Sequence, residues 1–281
     1  FKPDGIYLLP ETVSDLPPVA GILTAGEGNP LSHVQLLARN LGIPNVTVSA
    51  NVINKLAQYD GDQVVLAVSK SGLVEISPWS EKWTAIFKDA SEEGGVTISP
   101  DLEKLDLTVR SLVQLDDLRA ADSGRIVGPK AAKLGELRAH YPGHVSRGLA
   151  IPFGIFREEV FEKPHTASGG SVFEWMVDRY AALAEMPSDS PQHAEQAEVF
   201  RSELYDIVLN TELSQGFKDE LMAGLKETFG TEKPMGIFVR SDTNVEDLAG
   251  FTGAGLNLTI PNIVTFPALL ESIARVWASP F

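Results

Sequence analysis

Apolar positions along this chain come in short groups, and the spacing inside each group decides which element it predicts. "IYLLP" at 6–10 and "AGILT" at 20–24 are unbroken apolar runs bounded by turn residues, which predicts short buried strands. Between them "ETVSDLPPV" predicts a connection with a short helix. The spacing then becomes helical: Val34, Leu37, Ala38 and Leu41 share one face, Ser32 stands where an N-cap belongs, and Gly42 with Pro44 ends the run. "NVTVS" at 45–49 predicts another strand, and 60–77 reads as two β-rich runs around "SKSG", a hairpin. Residues 1–79 therefore predict one compact β/α unit.

Residues 80–124 mix Gly, Pro and charge with short apolar patches, which predicts a linker or hinge. A second domain is expected over 125–281. In it "GPKAAKLGEL" at 128–137 reads as a turn entering a helix, and "LAIPFGIF" at 149–156 as a strand bent at its proline. Residues 171–186 and 193–229 carry helical periodicity, split by the breaker "PSDSPQ". "MGIFVRSDT" at 235–243 predicts a strand running into a polar loop, "GFTGAGLNLTI" a glycine-rich turn and a further strand, and 266–281 an amphipathic helix. The fold class expected is α/β and α+β in two domains.

Composition narrows the chemistry. The chain has 281 residues, 43% hydrophobic and 22% charged, as in ordinary globular proteins. It has no cysteine, which excludes disulfides and thiolate metal sites. No apolar run reaches the roughly 18–20 residues needed to cross a bilayer, and no signal-peptide pattern opens the chain, so no membrane partner and a cytoplasmic location are expected. Phe1 rather than methionine opens the sequence, which reads as a piece of something longer. The formal charge of −15 argues against nucleic acid as a partner. It leaves room for a phosphorylated ligand held by a few converging cations.

His33 follows Ser32 at the start of the helical run. An imidazole there is either a solvated first-turn residue or a nucleophile whose transferred phosphate meets free backbone N–H groups. Lys130, Lys133 and Arg240 are isolated cations framed by turns and strand ends; each reads alone as a solvated or ion-paired residue. "GFTGAG" at 250–255 is alone a tight turn. His140, His144, His165 and His193 lack metal-ligand spacing, and no metal ligand is assigned.

"GILTAGEGNPLSHVQLLARNLGIPNV" resembles the phosphohistidine, or swivelling, domain of phosphoenolpyruvate-utilising enzymes, whose motif runs T-x-x-G-G-x-T-S-H-A-A-I-x-A-R-x-x-G-I-P. Thr24, Gly28, Ser32, His33, Ala38, Arg39, Gly42, Ile43 and Pro44 match it, while Leu31 stands where threonine is usual. The resemblance implies a swivelling β/β/α domain with His33 as phosphoryl carrier and Ser32 beside it. "VGPKAAKLGEL" and "VRSDTNVED" similarly resemble the N-terminal part of an ATP-grasp nucleotide-binding domain, with patterns V-G-G-K-x-A-x-L-G-E-L and V-R-S-S-x-x-x-E-D. That implies ATP contacts from Lys130, Arg240, Gly253 and Gly255, with Pro129 replacing a family glycine. Glu246 and Asp247 match the E-D pair, for which a capping or ion-pairing role is equally open.

The histidine domain precedes the nucleotide domain, an order that resembles glucan, water and phosphoglucan, water dikinases, as do "LSHVQLLARN", "NVEDLAG" and "VWASPF". "LGIP" is more like phosphoenolpyruvate synthases. The resemblance implies an ATP-dependent dikinase: β-phosphoryl to His33, AMP and phosphate released, and onward transfer to a small-molecule or carbohydrate acceptor such as pyruvate or a glucan. It implies Mg2+ as cofactor with ligands mainly beyond this sequence, and allows a homodimer in a longer parent. The alternatives are a non-catalytic nucleotide-binding fragment and a relay fed by phosphoenolpyruvate.

Overall fold

The structure, a computed structural model, describes residues 2, 4–9, 19–26, 35, 38, 42–69, 71–84, 101–188, 190–231, 236–245 and 258–281. The chain divides into two compact units; of the described residues, those through 84 belong to the first and those from 101 onward to the second.

In the first unit β1 (Ile6–Leu9), β2 (Gly21–Thr24) and β3 (Asn45–Thr47) form a parallel sheet in the order β1-β2-β3. β2 is central and every residue of it is buried, which explains why "GILT" shows no polar alternation. Ile22 packs with Val19 and with Ala38 from the helical stretch between β2 and β3, and Tyr7, Leu9 and Ile43 close around them. That stretch ends as the sequence predicts. Gly42 takes φ +66°, and the Ile43 N–H donates to the Ala38 carbonyl at 2.8 Å, the bond that closes a helix through a left-handed glycine.

Helix α1 (Ala50–Leu56) follows β3. It buries no residue, so no apolar stripe announced it. β4 (Val64–Val68) and β5 (Val74–Pro78) then pair antiparallel as the expected hairpin. Gly72 at φ +84° turns the chain, and the Leu73 N–H donates to Ser69 Oγ at 2.9 Å. A Cβ on Gly21 would stand 2.9 Å from Leu66 Cδ2, so the glycine at the start of β2 lets the hairpin lie close against the sheet.

The expected hinge over 80–124, and the expected start of the second domain at 125, need correction. Residues 101–124 are part of the second unit: Leu115 and Leu118 are buried with Ile126, Val127, Ala132 and Ala150, and β6 (Val113–Gln114) pairs antiparallel with β7 (Leu149–Ala150). The apolar patches that looked like punctuation in a linker are core positions. Residues 85–100 lie outside the described residues.

Helix α2 (Pro129–His140) forms where "GPKAAKLGEL" predicts it, with Gly128 as N-cap and Pro129 in the first turn. The predicted strand over 149–156 is shorter than expected. After Ala150 the chain enters α3 (Phe153–Phe156), continued by a π-helical turn over Arg157–Phe161. Pro152 caps this helix, and Gly154 packs so tightly on the chain before it that a Cβ would lie 2.3 Å from the Val109 carbonyl oxygen. An apolar run of this length fits strand and helix equally well, and the packing of Gly154 accommodates the helix.

α4 (Val172–Ala184) follows, and the predicted run over 193–229 is two helices, α5 (Pro191–Leu209) and α6 (Gln215–Phe229). The break comes at Asn210–Ser214. Leu213 turns into the core, Ser214 Oγ accepts the Phe217 N–H, and the buried Glu159 carboxylate accepts both the Ser214 N–H (2.8 Å) and hydroxyl (2.5 Å). β8 (Ile237–Arg240) pairs antiparallel with β9 (Thr259–Ile263), and α7 (Phe266–Ala278) packs on both. One cluster joins Phe217, Leu221 and Leu225 of α6 to Leu269 and Ile273 of α7; another joins Phe200, Leu204 and Val208 of α5 to Val160 and Ala278. Each such side chain contributes about 1.5–3 kcal/mol by leaving water.

Candidate functional site

The first site is built by the parallel sheet. Thr24 ends β2, the central strand, and is fully buried; its hydroxyl lies 3.4 Å from that of Thr47 on β3, and its carbonyl accepts the Val48 N–H at 2.8 Å. The segment leading to Ser32 and His33 leaves from this carboxyl end of the sheet, the end at which open α/β sheets present their ligand-binding loops. Ser32, His33, Gly28, Leu31 and Arg39 themselves lie outside the described residues. Downstream of His33, Gln35 and Ala38 are helical, and Ala38 anchors its turn to Ile22 at 2% exposure. The described residues on the two sides of that segment, Thr24 and Ala38, are both buried.

The second site gathers at the start of α2 and the exit of β8. The Lys130 ammonium donates to the Ser241 carbonyl at 3.1 Å and to the Ser241 hydroxyl at 3.2 Å. Ser241 is itself buried and is the next residue after Arg240, the exposed last residue of β8. The structure therefore brings the Lys130 side chain to the chain position beside Arg240, although the two are far apart in sequence. Lys133 is exposed one turn further along α2.

Asp242, which the sequence reading did not single out, is central to this site. One of its carboxylate oxygens accepts the Gly128 N–H at 2.9 Å; the other accepts the N–H groups of Lys130 (2.8 Å) and Ala131 (3.3 Å). Gly128 offers no side chain to cap α2, and an aspartate from a distant strand exit does so instead. The available signal was an acidic residue directly after a predicted strand, paired with a helix start reading Gly-Pro-Lys. Thr243 Oγ1, next along the chain, is buried without a hydrogen-bond partner.

Gly253, Gly255, Glu246 and Asp247 lie outside the described residues. Among the described residues no group of three or more His, Cys, Asp or Glu side chains gathers as metal ligands do. Three of the other histidines have local side-chain partners: His140 Nε2 lies 3.0 Å from Glu136, His165 sits 2.9 Å from Ser168 Oγ and against the Trp175 ring, and His144 meets the Tyr141 ring edge-on.

Ordered carboxylates frame the second unit. Hydrogen bonds from Arg110 hold the Glu162 carboxyl below the ordinary glutamate range, with Arg157 adding to the effect. The Ala120 N–H does the same for Glu136, and the Ser171 N–H for Glu174.

Residues 6–70 match the family model of the PEP-utilising enzyme, mobile domain. The matched segment holds the whole β1-β2-β3 sheet, Ser32 and His33, and the first strand of the hairpin, β4. It is less than half of the chain. Its mixed α/β architecture agrees with the match. Among the described residues no helix is long and apolar enough to cross a membrane.

Proposed function

We propose that this chain is a phosphotransferase module in which His33 carries a phosphoryl group and the second unit binds the nucleotide that supplies it. The match over residues 6–70 carries this reading, because it spans Ser32–His33 and belongs to the mobile domain of enzymes that use phosphoenolpyruvate. A carrier domain has a chemical reason to be mobile: one histidine cannot lie in line with a donor and with a separate acceptor unless it travels between them.

The donor in this reading is ATP, bound by an ATP-grasp domain. Lys130 and Arg240 are the cations offered to its phosphates; the Lys130 ammonium donates to Ser241, the residue that follows Arg240. A few local cations suit a polyphosphate even on a chain of net charge −15. Gly253 and Gly255 supply close backbone approach to the phosphates. Magnesium, when bound with the nucleotide, neutralises phosphate charge during transfer. The His33 imidazole nitrogen attacks the β-phosphorus, the bond from the α-phosphate to it breaks with AMP leaving, and the γ-phosphate passes to water as inorganic phosphate. Ser32 stands beside the phosphohistidine as a hydroxyl donor. A glucan or a small molecule such as pyruvate then accepts the phosphoryl group, in a cytoplasmic dikinase related to glucan, water dikinases.

ATP labelled at the β position is expected to label a longer parent enzyme at His33, with AMP formed in equal amount and the label lost in His33→Ala. Label entering only from the γ position would overturn the reading. The description of the matched domain favours one second reading, a relay charged by phosphoenolpyruvate. In that case labelled phosphoenolpyruvate marks His33 without any nucleotide, and Lys130→Ala leaves the labelling unchanged.

A further inference from the structure

The glycine at 128 has no conformational reason to be one. Its φ of −78° and ψ of 179° are open to any residue. The reason is space: a Cβ there would stand 2.5 Å from Asp242 Oδ1 and 2.7 Å from the Asp242 carbonyl carbon. The start of α2 is thus shaped around the aspartate, which approaches the backbone of Gly128 as closely as a missing side chain permits. Its two oxygens take the N–H groups of Gly128, Lys130 and Ala131. Meanwhile the side chain of the middle residue, Lys130, folds onto Ser241, the neighbour of Asp242.

We infer that Asp242 is a positioning residue for Lys130, and that the inference rests on the nucleotide-binding reading of this site. Two consecutive residues of the β8 exit grip one lysine from both ends: Asp242 holds its backbone N–H, and Ser241 holds its ammonium. The grip sets where the ammonium stands relative to Arg240, because Arg240, Ser241 and Asp242 are consecutive. A lysine on a free helix start loses rotamer freedom when it meets a phosphate; one held at both ends has already lost it, and binding is correspondingly tighter. The carboxylate also occupies the positive end of α2, so the helix dipole is spent on Asp242 and the phosphate is met by side-chain cations.

The test is titration of the 281-residue chain with ATP, followed by amide NMR, in a double-mutant cycle of Asp242→Ala and Lys130→Ala. Asp242→Ala is expected to weaken ATP binding on the order of tenfold, as for loss of a charge-assisted contact. The double variant is expected to bind no more weakly than Lys130→Ala alone, because Asp242 acts through that lysine. Asp242→Asn keeps the shape and one acceptor oxygen, and is expected to fall between wild type and Asp242→Ala. It also serves as the readout if Asp242→Ala does not fold.

Additive losses, or no loss from Asp242→Ala while Lys130→Ala weakens binding, would overturn the positioning role and leave the nucleotide reading standing. Tighter ATP binding by Asp242→Ala would overturn it too, by showing that the carboxylate competes with phosphate. If ATP does not bind, or if Lys130→Ala and Arg240→Ala both leave its affinity unchanged, the nucleotide reading fails and the inference falls with it.

Discussion

Among the described residues, the first unit buries Val19, Ile22 and Ala38 in one cluster beside a parallel sheet, whereas the second buries three clusters spread over α2, α5, α6 and α7. The second unit also carries guanidinium–carboxylate contacts across sequence: Arg110 with Glu162 at 2.8 Å, Arg138 with Asp116 at 2.7 Å, and Arg125 with Asp106 at 3.1 Å. Apolar burial holds a small sheet together with little redundancy, so a single buried side chain is a large share of the total. In the larger unit the same loss is spread over neighbours that remain packed.

The largest expected effect comes from breaking each core in turn. Ile22→Ala and Ile273→Ala remove equal side chains from fully buried positions, at a cost of about 2–5 kcal/mol each. In the first unit that loss is expected to abolish protection of the β1-β2-β3 amides against hydrogen exchange while the second unit melts as in the wild type. Ile273→Ala is expected to lower the melting point of the second unit and leave it folded. Equal loss of protection in both units from either variant would dissolve the contrast.

A smaller effect is expected from Gly128→Ala. The added Cβ must push Asp242 away from the start of α2, at about 1–3 kcal/mol for overpacking and lost hydrogen bonds. Thermal unfolding should show it in the second unit only, with the Lys130 and Ala131 amides exchanging faster. Ser171→Ala removes the α4 cap, whose hydroxyl accepts the Glu174 N–H at 3.2 Å, and is expected to cost about 1 kcal/mol.

Acid sharpens the comparison with the smallest effect per group. Glu162, Glu136, Glu174 and Asp106 are all held below their ordinary values, and all belong to the second unit. A carboxyl depressed in the folded state contributes stability that is complete above its unfolded value, 4.5 for glutamate, and is lost as pH falls through the folded value. Melting curves between pH 6 and pH 3 should therefore show the second unit losing stability below about pH 4.5 through these groups. Because Glu162 and Glu174 are exposed and Glu136 and Asp106 only half-buried, added salt should reduce the difference.

Sequence by itself determined much of the first unit, because its elements announce themselves locally. An unbroken apolar run gave β2, Gly42 stopped a helix by taking φ +66°, and "SKSG" turned a hairpin. It also placed α2, α7 and the strand that ends at Arg240, and drew attention to Lys130 as well as Arg240. Three things depended on tertiary contacts. Leu115 and Leu118 read as linker until Val127 and Ala132 covered them. "IPFGIF" became a helix because Gly154 packs against the Val109 carbonyl, a contact from 45 positions upstream. The local mark of Asp242, an acidic residue just after a strand, does not say which helix it caps. Its partners, Gly128, Lys130 and Ala131, lie more than a hundred residues before it. Periodicity and capping are properties of neighbours in sequence, and a carboxylate that caps a helix from a distant strand is a property of the fold alone.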